Sequence, residues 1–306
     1  MRLSNESEKR LRSLIAKHQL EAAEEEIVSH AVECVVLTRG EPEDYSAVGN
    51  SRYGGVPDLP PSIPWPTGPG FPDASGACPC FCYNFLMQVN LGDVPLVEGS
   101  PLPSSGMLYY FIGLNESCID VQGKVIFYDG DPRDLSRGDQ PATEMLLNEN
   151  YVDLKPHKLR PYLGIDLPGY GTDVFFVIAE KGGTTSKGDG GDRYFKLIDE
   201  AVGKSSAVEV DGQLLGHPSE LISDMREDAF LVRTGREDKV GTPGYSTEHA
   251  AEMREGAKQW VQLWRIESDF AVGTCFWDAG NFNVLIREED LVKGDFSGIY
   301  TQLETS

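Results

Sequence analysis

Long apolar runs are missing from this 306-residue chain. None approaches the roughly 18 residues that a membrane-crossing helix needs, so a helical span is excluded. Basic residues are scarce as well: 27 lysines and arginines stand against 49 acids, a net charge of −22. A chain so negative repels phosphate backbones and anionic lipid surfaces, which argues against nucleic acid and membrane as partners. Histidine is limited to five scattered residues, and H-E-x-x-H, G-x-S-x-G and G-x4-G-K-[ST] are all absent. The zinc-binding helix, the strained serine elbow and the phosphate-cradling loop that those spacings build are therefore not expected, and neither is a cofactor. The opening residues Met1-Arg-Leu-Ser-Asn-Glu lack the apolar core of a secretory leader. The six cysteines are then expected as reduced thiols, and the chain as cytoplasmic.

What the chain does have is an unusual stretch, residues 51–66. Five prolines (Pro57, Pro60, Pro61, Pro64, Pro66) fix φ and remove donors, which excludes a helix and a central strand there. Yet Tyr53, Val56, Leu59, Ile63 and Trp65 are too apolar for a solvated linker. Both facts fit an extended strap lying over a sheet, pegged by those side chains; a proline-rich ligand for an aromatic groove is the alternative.

Periodicity predicts two short helices ahead of the strap, over 5–17 with Ser4 as cap and over 20–29. A strand is expected over 31–37, then a polar loop over 39–50. Strands follow at 81–91, with Phe85, Met87 and Val89 on one face, and at 107–112 and 124–128, spaced as an antiparallel meander. Residues 158–167 and 172–179 read as further strands, and the Gly-rich stretch 182–192 as a boundary between halves. Beyond it come an amphipathic stretch at 193–202, helices near 219–225 and over 247–258, and strands over 260–266 and 281–286. Gln88 and Gln262, each inside an apolar strand, lie 174 residues apart, and Gly106 and Gly280 repeat that offset. The spacing suggests one domain over 1–306 built from a duplicated β-unit, with halves of about 31–180 and 193–306 behind N-terminal helices at 4–30. The expected class is α+β, mostly antiparallel, with internal duplication and an N-terminal helix pair.

Several pieces carry a resemblance: Ser51 to Pro60 with Trp65-Pro66, Phe85 to Leu91, Leu102 to Phe111, Leu214 to Pro218, and Trp277 to Ile286 with Lys293 to Phe296. Together they resemble the YwqG-like family, a bacterial-centred domain family of unknown function. The resemblance implies an α+β, mostly antiparallel fold with internal duplication, and no reaction, cofactor or catalytic residue. The chain departs from the pattern at 67–82, where a longer bend holds three cysteines.

Those thiols, Cys78, Cys80 and Cys82, would need His217 or Cys118 to complete a zinc site. C-x-C lacks the turn that aims two sulfurs at one metal, so no metal is expected. His217, between Gly216 and Pro218, is either a general base or a hydrogen-bonded turn residue. Gln88 and Gln262 must find partners if buried. Arg52, Tyr53, Asp58, Trp65, Trp277 and Asp278 are the remaining candidate binding residues, each with an equally good structural use. Three function classes stay open. The favoured one is a non-catalytic binding protein that captures a basic partner protein. The others are a small-ligand protein with a pocket between the repeats, and a hydrolase using His217 with a carboxylate.

Overall fold

Ser4 begins the first ordered element for the reason its position suggested. Its hydroxyl accepts the Ser7 amide and starts the helix Asn5–Lys17, which buries Leu11 and Ile15 on one stripe. A computed structural model describes residues 3–305 apart from 74, 114–116, 171, 183–189, 206–207 and 219–223. The fold is α+β and mostly antiparallel. Two compact units divide the chain, each discontinuous in sequence: Met1–Leu37, Pro95–Pro101 and Pro161–Arg265 form one, and Thr38–Val94, Leu102–Arg160 and Ile266–Ser306 the other.

The first unit packs four helices around one apolar cluster. Leu11 and Ile15 meet Leu20, Ala23 and Ile27 of the second helical segment (Glu21–Ala23 running into Glu24–His30), with Phe175, Ile178, Tyr194 and Leu197. The helix Asp173–Lys181 replaces the strand expected over 172–179. Its Val-Phe-Phe-Val run favours a strand by propensity alone. The Thr172 hydroxyl accepts the Phe175 amide at 3.0 Å, however, and Phe175 and Ile178 then fall three apart on a buried face. The helix Gly190–Val202 covers the amphipathic stretch; of the expected Gly-rich boundary, residues 183–189 lie outside the described residues. The same is true of 219–223 in the expected short helix, while Met225–Arg233 downstream is helical.

A buried carboxylate anchors the N-terminal helix to the strand Val32–Pro42. Glu33 Oε1 accepts from the Ser4 amide at 3.1 Å, the Ser4 hydroxyl at 2.6 Å and the Ser7 hydroxyl at 2.5 Å. Burial pushes the Glu33 carboxyl up, but the Ser4 and Ser7 donations outweigh it and hold it below its usual value. A lowered carboxyl adds stability that is complete above the unfolded value, about 4.3, and is lost as pH falls through the folded one. Glu33→Gln is therefore expected to cost about 1–3 kcal/mol at neutral pH. It should also shrink the fall in melting temperature between neutral pH and pH 3. An acid limb identical to that of the unaltered chain would show that Glu33 carries none of it.

The second unit is built on the expected meander. Asn84–Asn90, Met107–Ile112 and Gly123–Tyr128 pair antiparallel in succession. The register slips between Phe85 and Met87, which a β-bulge does by inserting one residue. Phe85 therefore does not share a face with Met87 and Val89, as alternation alone predicted. It sits with Tyr109 and Phe111 in the cluster beneath the strap, on the face that also carries Gln88. Asn281–Arg287 pairs antiparallel with Tyr300–Glu304, a closing strand that the sequence pattern did not reveal. The strand Val32–Pro42 also runs five residues past its expected end, into the segment read as loop.

Candidate functional site

The strap begins as part of the sheet. Arg52–Tyr53 is a two-residue strand paired on one side with Lys158 and His157 and on the other with Gln88 and Met87. This corrects the exclusion of a central strand: both residues precede the first proline, so their amides and carbonyls remain usable. The next pairing, Asp58–Leu59 with Ser136–Arg137, forms a separate two-stranded ribbon that holds the proline segment down. Leu59, Ile63 and Trp65 pack into the cluster with Tyr83, Phe85, Tyr109 and Phe111. The Trp65 indole donates to the Tyr83 carbonyl at 2.8 Å, and its ring meets Phe111 edge-on at 5.5 Å. The strap is clamped, as its apolar pegs predicted.

Beneath it lies a fully buried polar cluster. Direct cross-strand pairing places Arg52 and Gln88 on one face. Arg52 Nη2 donates to Asp58 Oδ2 at 2.7 Å, Nη1 donates to the Val56 carbonyl, and Nε lies 3.5 Å from Glu43 Oε2. Gln88 accepts the Asp58 amide at 2.8 Å and donates to Asp58 Oδ2 at 3.0 Å and to the Asn50 carbonyl at 2.7 Å. The Gly49 amide and the Tyr109 hydroxyl also donate to Asp58, to its carboxylate and its carbonyl respectively. Glu43 accepts the Tyr45 amide at 2.8 Å, and the Tyr45 ring is stacked under Arg52 at 4.6 Å and Arg137 at 4.0 Å. Arg52, Asp58 and Gln88 are all 0% exposed. One guanidinium thus serves two carboxylates, and every group fixes the path of the backbone between Gly49 and Leu59.

Tyr53 points to the opposite face. Its hydroxyl lies 2.8 Å from the Glu267 carbonyl and 2.8 Å from Thr274 Oγ1, and so holds the loop 267–280. That loop carries Trp277, half exposed at φ +51°, and the exposed Asp278, whose carbonyl accepts from Thr305.

His217 and Gln262 belong to the other unit. Gln262 is buried. The half-buried His217 places Nε2 at 2.8 Å from the His30 carbonyl, and its amide donates to Asp166 Oδ2 at 2.7 Å. Asp166 also accepts from Gln213 Nε2 at 2.8 Å, and Arg265 donates to Gln213 Oε1 at 3.0 Å. Gly216, at φ +94°, could take no side chain: a Cβ there would lie 2.4 Å from Asp166 Oδ2. The Leu-Leu-Gly-His-Pro motif is therefore a turn tied to a buried carboxylate.

The candidates divide by access. Arg52, Tyr53, Asp58, Gln88 and Gln262 are buried, Trp65 and His217 half-buried, and Trp277 and Asp278 exposed. Glu43, Asp166 and Gln213 escaped the sequence reading, because a polar residue in a presumed loop or at a strand end gives no sign of burial. All six cysteines are free thiols; Cys78 and Cys80 are exposed, and Cys82 is buried on the strand Cys80–Cys82. Among the described residues, no three His, Cys, Asp or Glu side chains come together as metal ligands, and no helix is long and apolar enough to cross a membrane. A family model described as "Domain of unknown function (DUF1963)" matches residues 51–304, from the first residue of the strap to the end of the last strand. No curated protein matches the chain.

Proposed function

We propose, starting from the fact that the chain belongs to the family described as Domain of unknown function (DUF1963), that it is a cytoplasmic, non-catalytic binding protein that captures a basic partner protein. The single observation behind this reading is charge. Even if every lysine and arginine is matched to an acid, a charge of −22 remains. Many of those cations are already engaged locally, as in Arg12 with Glu8 and Glu24, Arg160 with Glu41, and Arg236 with Glu252. The residual field attracts cationic surfaces and speeds their encounter.

The proposal includes membership of the YwqG-like family, on the motifs given above, and an internal duplication. The duplication, with halves of about 31–180 and 193–306, rests on the 174-residue offset of Gln88 and Gln262 and of Gly106 and Gly280. Separately, each compact unit buries a glutamine that donates to a buried aspartate, Gln88 to Asp58 and Gln213 to Asp166, a device that does not follow that offset. Each aspartate also accepts a backbone amide, from Gly49 and from His217.

The test is affinity capture on the immobilised chain across ionic strength. Partners retained at about 0.05 M salt are expected to elute by about 1 M, where screening acts within about 3 Å. They should be basic proteins by mass spectrometry. Partners that are neutral or acidic, or held equally at both salt concentrations, would overturn the reading.

A further inference from the structure

Scattered apolar side chains on a surface need no explanation, but a contiguous group does. Eleven large apolar side chains are exposed among the described residues, and four of them lie in one part of the first unit: Phe176 and Val177 on the helix Asp173–Lys181, Phe195 on Gly190–Val202, and Tyr170 in the turn ahead of the first of these helices. Phe175 is the hub, with ring centroids 5.2 Å from Tyr170, 5.5 Å from Phe176 and 5.4 Å from Phe195. Tyr170 closes the group, 6.1 Å from Phe176 and 6.4 Å from Phe195. The exposed positions around these rings follow one pattern on both helices. On Asp173–Lys181 they are Asp173, Phe176, Val177, Glu180 and Lys181; on Gly190–Val202 they are Asp192, Phe195, Lys196 and Asp199. In each case the phenylalanine is flanked one turn before and one turn after by an acid. Of the two exposed lysines nearby, Lys181 is already paired with Glu26 at 2.6 Å.

We infer that this aromatic patch is a docking surface for a basic amphipathic helix of a partner protein. The inference rests on the reading of the chain as a binder of basic partners and names the place where that binding occurs. An apolar side chain of the partner helix would seat on the Phe175–Phe176–Phe195 rings, and lysines or arginines one turn to either side would meet Asp173, Glu180, Asp192 and Asp199. Charge complementarity selects this occupant. A second copy of the chain would bring the same acids and another −22 against the patch. An anionic lipid surface would be repelled in the same way.

The test uses two synthetic peptides about 18 residues long, one a lysine–leucine amphipathic helix with a central tryptophan, the other with the same lysines and its apolar residues replaced by serine. The amphipathic peptide is expected to bind the unaltered chain at least tenfold more tightly than its serine counterpart. It should also slow amide exchange in Asp173–Lys181 and Gly190–Val202. Phe176→Ser and Phe195→Ser, on separate helices, should each weaken it by about tenfold. The surface pair Glu180→Lys with Asp199→Lys should do likewise. Equal binding of the two peptides, or exchange protection confined to other segments, would overturn the patch while leaving capture by charge intact. Binding of neither peptide at low salt would overturn both. A dimer in light scattering that Phe176→Ser converts to monomer would assign the patch to a second copy instead.

Discussion

Arg52→Ala is expected to cost about 3–5 kcal/mol, a large share of the about 5–15 kcal/mol that holds a typical domain together. The magnitude follows from what would be left behind. Arg52 is the only cation with a described ion pair to Asp58 or Glu43, and the side chains of all three are 0–1% exposed. Removing the guanidinium strands two carboxylates out of water and also releases the Val56 carbonyl. Asp58 already carries one buried oxygen, Oδ1, without a hydrogen-bond partner among the described residues, so it has little left to compensate with. Arg52→Lys should recover part of the loss. It keeps the charge, but a single ammonium cannot reproduce a planar fork that reaches Val56, Asp58 and Glu43 together. Urea midpoints read by tryptophan fluorescence would check the order: unaltered chain, then Arg52→Lys, then Arg52→Ala. An alanine variant within about 1 kcal/mol of the unaltered chain would mean that the cluster contributes no more than an exposed ion pair.

Gly54→Ala carries the second large effect. Gly54 sits at φ +73°, where an L side chain costs about 1–2 kcal/mol on its own. A Cβ there would lie 2.7 Å from the Lys155 carbonyl and 2.9 Å from Val272 Cγ1, contacts that force backbone or core to move. Overpacking of this kind adds about 1–3 kcal/mol, so the sum is about 2–5 kcal/mol. Gly76 provides a control in the same chain: its φ is +81°, but a Cβ would meet nothing within 4 Å. Gly76→Ala should therefore show the conformational cost alone. Equal losses in the two variants would mean that the approach of Gly54 to Lys155 and Val272 is of no consequence, and that the strap owes nothing to its seat on the loop held by Tyr53.

The first prediction concerns a residue that sequence reasoning singles out, and both depend on partners it does not find. Arg52 and Asp58 stand out as charged residues inside an apolar, proline-rich stretch, and Gln88 as a polar residue inside an apolar strand. The strap's clamped course was legible for the same local reason, since five prolines forbid a helix and five large apolar side chains forbid a free tail. Glu43 was not legible, because nothing in its own neighbourhood separates a buried acid from a solvated one. The helix at 173–181 was misread because its β-branched and aromatic composition competes with a cap and a buried face that become decisive only when the neighbouring helices are in place.

Acting alone, the sequence determined whatever depends on neighbours a few residues apart: the Ser4 cap and its helix, the meander of three strands, the extended proline segment, and the acidic charge. Tertiary structure decided which polar groups face each other. The bond from Gln88 to the Asp58 amide spans 30 residues, and the one from Gln213 to Asp166 spans 47. A side chain's periodicity says which way it points, but only chain closure brings its partner within 3 Å and removes the water that would otherwise satisfy both.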